Sequence, residues 1–170
     1  MAKVIKVSLD EIENAIKELE QYEKDMLYKI EVFRQRLADE INDEAQSLFN
    51  SSIVNDLTNG SSRSAEVTVT TTHKKNVSVV IANGEDAIWV EFGAGVYHNG
   101  SAGGSPHPMG VELGYTIGSY GKGRGKGRAW GFYEDGELKI TRGTPATMPM
   151  YNAMKSIIAK ADSIAREVWK

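Results

Sequence analysis

The sequence predicts an α+β domain in which a long N-terminal helix (or two helices in sequence) and a C-terminal helix pack on an antiparallel β-sheet, with a long glycine-rich loop inserted before the last hairpin. Three observations carry that expectation. Apolar residues recur at three- and four-residue steps near both ends of the chain. Between them lie short runs of β-branched and aromatic residues bounded by turn residues. The connections between those runs are too short for crossover helices, so neighbouring strands are expected to be antiparallel. A length of 170 residues suits one domain, 1–170, with an extended loop at 93–128.

The first helix is announced by Ser8-Leu9-Asp10-Glu11, a capping box in which Ser8 accepts from the backbone N–H of Glu11 and Glu11 reaches back. Leu9, Ile12, Ile16, Leu19, Met26, Ile30, Phe33, Leu37, Ile41, Ala45 and Leu48 then form one apolar stripe. Polar residues thicken near 20–24, which leaves one bent helix or two helices open. The segment 50–64 is polar and turn-rich and is expected to carry the chain from helix to sheet. Three strands are predicted, at 65–72, 76–82 and 87–92, as an antiparallel meander. The stretch 93–128 has little periodicity and holds most of the glycines. Loops of that length are uncommon in compact domains and usually functional. A hairpin follows at 129–133 and 138–142 around the turn Glu134-Asp135-Gly136-Glu137. A Thr/Pro connector ends at Pro149, well placed in the first turn of a last helix. That helix has an apolar face built from Met150, Ala153, Met154, Ile157, Ile158, Ala161, Ile164, Ala165 and Val168.

Composition removes several classes of chemistry. With no cysteine there is no thiol nucleophile, disulfide, iron–sulfur cluster or cysteine zinc site. The N-terminus lacks the apolar core of a signal peptide and no run approaches a membrane span, so the expectation is a protein made and kept in a cytoplasm, with no membrane contact. The net charge of -3 hides an asymmetry: acids outnumber bases between residues 10 and 44, whereas 122–128 carries only cations alternating with glycine. Such asymmetry fits matching between copies or partners better than it fits a broad duplex-DNA face.

The candidate chemical motifs are weak. Gly121-Lys122-Gly123-Arg124-Gly125-Lys126-Gly127-Arg128 misses both the phosphate-loop and the dinucleotide spacings. The same loop, with Tyr120 and Trp130 beside it, has the means to touch nucleic acid by charge and stacking. The blander reading is a loop that orders against an acidic neighbour. His98 and His107, with Glu91 before them, lack a third fixed metal ligand. No Gly-x-Ser-x-Gly elbow occurs. Trp89, Phe92, Trp130 and Phe132 read as core or interface anchors. No catalytic, cofactor or metal residue is assigned, and an enzyme is not expected.

Two segments carry a family likeness. Trp89-Val90-Glu91-Phe92-Gly93-Ala94-Gly95 precedes the long loop, and Thr141-Arg142-Gly143-Thr144-Pro145-Ala146 precedes the closing helix. Together they resemble the tail-component or neck-protein family of long-tailed phages, often described as tail completion. Members typically show Glu-Phe-Gly-Thr/Ser-Gly, and Ala94 departs mildly from that pattern. On this likeness the motif residues are Glu91, Phe92, Gly93, Gly95, Arg142, Gly143 and Pro145. The resemblance implies a structural virion protein that forms a ring at the head–tail junction, assembled in the bacterial host cytoplasm, with no cofactor. A hexamer is preferred over a dodecamer. Head-connector or head-closure proteins and tail-tube or tail-terminator proteins are the implied partners. Tyr120, Lys122, Arg124, Lys126, Arg128 and Trp130 are the candidates for contact with a neighbour, with genomic DNA a passing contact. Glu91 and Arg142 are expected to pair. The alternative is a small nucleic-acid-binding module using the basic loop.

Overall fold

The computed structural model describes residues 8–55, 62–93, 105–110, 112–113, 130–141 and 143–170. The fold is α+β. It runs α1 (Leu9–Ser51), β1 (Ile53–Asn55), β2 (Ser62–Ser64), β3 (Thr68–Lys74), β4 (Val77–Asn83), α2 (Asp86–Phe92), β5 (Trp130–Glu134), β6 (Glu137–Thr141) and α3 (Pro149–Val168).

The N-terminal stripe resolves into a single helix of 43 residues, about 65 Å long at 1.5 Å per residue. Its capping box forms as the sequence predicts: the Glu11 amide donates to Ser8 Oγ at 3.3 Å, and the Ser8 amide donates to Glu11 Oε2 at 2.7 Å. Those bonds hold the Glu11 carboxyl below its ordinary range. No glycine or proline falls within the helix to break it.

α3 lies antiparallel to the C-terminal half of α1. Lys160 meets Glu44 at 3.1 Å, Arg36 meets Glu167 at 2.6 Å, and the Phe33 and Trp169 rings meet edge to face at 5.4 Å. The Trp169 indole N–H points at Met26 Sδ. As numbers rise along α3 they fall along α1. These exposed pairs set register more than stability. The burial comes from Ala45, Phe49, Val54, Ala65, Val67, Val69, Ala87, Val90 and Ala153, which form one core between the helices and the β3–β4 ladder.

The sheet departs from the expected meander. The described strands form three separate two-stranded antiparallel ladders, β1–β2, β3–β4 and β5–β6. β1 and β2 fall inside the segment read as a polar connection. The β3–β4 register pairs Thr72 with Val79 and Val69 with Ala82. Gln46 on α1 clamps the ladder, accepting from the Val69 N–H at 2.7 Å and donating to the Val67 carbonyl at 3.0 Å. The last hairpin closes on Asp135 and Gly136, with φ of 53° and 82°, the backbone of a type I′ turn.

The predicted strand 87–92 is instead the helix α2. Its β-branched and aromatic content suggested a strand, but that preference yields to packing. Ala87, Val90 and Glu91 are buried while Ile88 is exposed, which is helical spacing and not alternation.

Candidate functional site

Among the described residues, a buried set of polar contacts surrounds Glu91, at the end of α2. α3 starts without a side-chain cap of its own: Met148 holds the cap position in the left-handed region, φ 55° and ψ 52°. Pro149 opens the helix and has no N–H to satisfy. The next two amides, Met150 and Tyr151, donate to Glu91 Oε2 at 2.8 Å and Oε1 at 2.9 Å. A carboxylate from another helix therefore does what a serine or aspartate does elsewhere, and it sits at the positive end of the α3 dipole. The Val90 carbonyl accepts from Thr147 N–H at 2.9 Å and Met148 N–H at 3.3 Å, fixing the approach of the connector.

His107 completes the arrangement. Its Nδ1 accepts from the Met109 N–H at 3.1 Å, which leaves Nε2 to carry the ring proton, and Nε2 faces Glu91 Oε1 at 3.2 Å. Both side chains are buried. The ring lies between Phe92, 4.5 Å away, and Tyr151, 5.2 Å away. Ser105 Oγ donates to the Phe92 carbonyl and accepts from the His107 N–H, anchoring the segment 105–110 to the end of α2.

Gly93 follows at φ 79°. A Cβ there would come within 3.1 Å of both the Ala146 Cβ and the Ala146 N, so a side chain would be crowded by the connector as well as strained by the positive φ. Gly143 and Thr144 are buried and Pro145 is half-buried beside them. The Glu-Phe-Gly segment and the Gly-Thr-Pro segment, some fifty residues apart in sequence, thus pack against each other in one junction.

A second ion pair, between the exposed Arg63 and the buried Asp86, secures the other end of α2. Arg63 grips Asp86 in bidentate fashion, at 2.6 and 3.0 Å, and the Glu66 N–H donates to the same carboxylate at 2.9 Å. Burial pushes the Asp86 carboxyl up, but the Arg63 and Glu66 hydrogen bonds and the guanidinium charge outweigh it and hold the carboxyl below its ordinary value.

An open apolar groove of about 490 Å³ runs from this junction along α1. It is lined by Ile41 of α1, Val80 and Ala82 of β4, Phe92 of α2, and Met150 and Met154 of α3.

Of the residues singled out in sequence, the structure places Glu91, Phe92 and Gly93 at the end of α2, with Gly93 against Ala146 and the Thr144 carbonyl, while Gly143 is buried and Pro145 half-buried in the connector on either side of Thr144. Gly95, Tyr120, Lys122, Arg124, Lys126, Arg128 and Arg142 lie outside the described residues, and with them the expected Glu91–Arg142 pair. Trp130 opens β5. The partners that Glu91 does have are His107 and the α3 amides. His107 reads in sequence as a polar loop residue, and nothing local marks it as buried. The missing cap of α3 was the available clue: Thr147-Met148-Pro149 starts a helix with no Ser, Thr, Asp or Asn at the cap, so a carboxylate had to come from elsewhere.

Both Glu91 oxygens are engaged by N–H donors, which is how a carboxylate holds elements together. Among the described residues no group of three or more His, Cys, Asp or Glu is placed to hold a metal ion. Among the same residues no helix is long and apolar enough to cross a membrane. Comparison with protein-family models, with curated proteins and with solved structures finds no match to the chain.

Proposed function

We propose that the chain is a non-enzymatic structural subunit of a tailed-phage particle, forming a ring at the head–tail junction that joins or terminates the tail. The observation that carries this reading is the junction itself. The two segments that resemble the neck-protein family lie far apart in sequence, and they meet through Glu91, Gly93 and the start of α3. A motif pair of that kind reads as a structural junction when its segments contact each other and one of its carboxylates caps the helix that follows.

A second feature favours assembly. Leu9, Ile12, Ile16 and Leu19 stand exposed along the first turns of α1. An apolar stripe of that length on a charged helix is the usual mark of a protein contact. In the ring, one surface of each copy meets a different surface of the next. Six copies match tail symmetry and twelve match a head portal, with six preferred. The partners are the head-connector or head-closure proteins on one side and the tail-tube or tail-terminator proteins on the other. The subunit resides in the virion after assembly in the host cytoplasm.

Electron microscopy of particles made without this protein tests the reading. Separated heads and tails, or tails of uncontrolled length, support it, and normal infectious particles refute it. Tight, steeply salt-dependent binding of the purified chain to DNA would favour a nucleic-acid module instead.

A further inference from the structure

The two strands of the β3–β4 ladder have differently built edges. β3 reads Thr-Val-Thr-Thr-Thr-His-Lys, and its outward face is threonine ending in lysine. Polar side chains and a lysine are how natural sheets guard an open edge. β4 reads Val-Ser-Val-Val-Ile-Ala-Asn, with Val77, Val79 and Ile81 exposed on one face and Val80 and Ala82 half-buried on the other. Apolar residues on both faces are the pattern of an interior strand. Among the described residues, however, β4 pairs only with β3. The apolar groove opens on the other side of β4, since Val80 and Ala82 line it and no described β3 residue does.

The β5–β6 hairpin has the opposite lack. Tyr133 pairs with Leu138 and Gly131 with Ile140, so Tyr133, Leu138 and Ile140 share one face. All three are exposed. A lone two-stranded ribbon is marginal in water. Its turn, Glu134-Asp135-Gly136-Glu137, is acidic, whereas the β3–β4 turn carries Lys74 and Lys75.

We propose that the β5–β6 hairpin of one copy adds, in a second copy, to the edge of β4 that no described strand pairs with, with β5 antiparallel to β4 and the acidic turn beside the basic one. Charge selects this orientation, because the reverse one separates the two turns by the length of the strands. With the turns flush, Ser78 lies across from Tyr133 and Val80 across from Gly131. Residues paired across a ladder share a face. Tyr133, Leu138 and Ile140 therefore come down on the groove and cover Val80, Ala82 and Met154. Main-chain bonds supply affinity and the side chains set register, as in other strand additions. The edge and the hairpin are different surfaces of one chain, so the contact is heterologous and propagates from copy to copy until a ring closes. The inference rests on the ring reading and names the contact between its subunits.

The chain has no cysteine, so engineered cysteines report without background. Ladder partners lie about 4.5–5.5 Å apart at Cα, within disulfide reach. Ser78→Cys protein mixed with Tyr133→Cys protein and oxidised should give a covalent dimer. The double variant should give a ladder of multimers on a non-reducing gel. An intrachain bond in the double variant, with no dimer from the mixture, would overturn the proposal by showing that the hairpin folds on its own β4. Failure of both this pair and the pair shifted by two, Val80→Cys with Tyr133→Cys, would overturn it as well. Ile140→Glu, at an exposed position, should leave the circular dichroism of the subunit unchanged and weaken self-association at least tenfold; unchanged association contradicts the proposal. Rings that assemble without the crosslink remove this contact and leave the neck reading standing. Crosslinked rings from a protein that particles do not require do the reverse.

Discussion

The two halves of α1 share one apolar stripe and meet opposite fates. From Phe33 to Phe49 the stripe is covered by α3 and the β3–β4 ladder, and Ala38, Ala45 and Phe49 are buried. From Leu9 to Tyr22 every residue is exposed, with Leu9 79% and Leu19 66% accessible. The bare half remains helical because helix propagation from an existing turn is easy and nucleation alone is hard, and because the capping box closes its free end. It adds little to the stability of one copy. Under the proposed ring reading its apolar residues serve a neighbour, whereas those of the covered half serve the fold.

Substitutions should separate the halves. Phe49→Ala empties a fully buried site and should cost about 3–5 kcal/mol, read as a lower denaturation midpoint. A loss under about 1 kcal/mol would mean that the core lies elsewhere. Glu91→Ala strands the Met150 and Tyr151 amides and the His107 ring together, and should cost about 2–3 kcal/mol, with amide exchange rising first in the opening turn of α3. If Glu91→Ala matched wild type, the junction would not be the anchor of the fold.

Acid should act through Asp86. Its folded pKa is depressed below an unfolded value of about 3.9. Its contribution is therefore complete above that value and is lost as the pH falls through the lower folded one. Asp86→Asn should flatten the loss of stability between neutral pH and the region below about 4. An unchanged acid limb would assign that loss to other carboxylates. The smallest effect on one copy belongs to the bare half: Ile16→Ser should change stability by no more than about 0.5 kcal/mol while lowering incorporation into particles. A large fall in the stability of the isolated chain would show that the bare half packs within its own copy.

Much of this architecture was legible in sequence because it is local. The capping box at Ser8, the three-and-four spacing of α1, the Asp-Gly turn at 135–136 and Pro149 at the start of α3 each act within a few residues. α2 was misread because seven residues rich in Ile, Trp, Val and Phe satisfy a two-residue and a 3.6-residue period almost equally. Only the buried positions of Ala87, Val90 and Glu91 decide between them. The motif residues were visible as types, but their chemistry was not. Glu91 acts on amides 59 and 60 positions away, and His107 becomes buried only when the segment 105–110 folds back on Phe92. Pairings across such distances depend on packing that no window of sequence contains.

Hydrogen exchange compared between the isolated chain and intact particles tests most directly whether this subunit is completed by its neighbours. Amides of residues 9–22, 77–81 and 130–141 should exchange readily in the isolated chain and become protected in particles, while the opening turn of α3 stays protected in both. Equal exchange of those three segments in the two states would contradict the account.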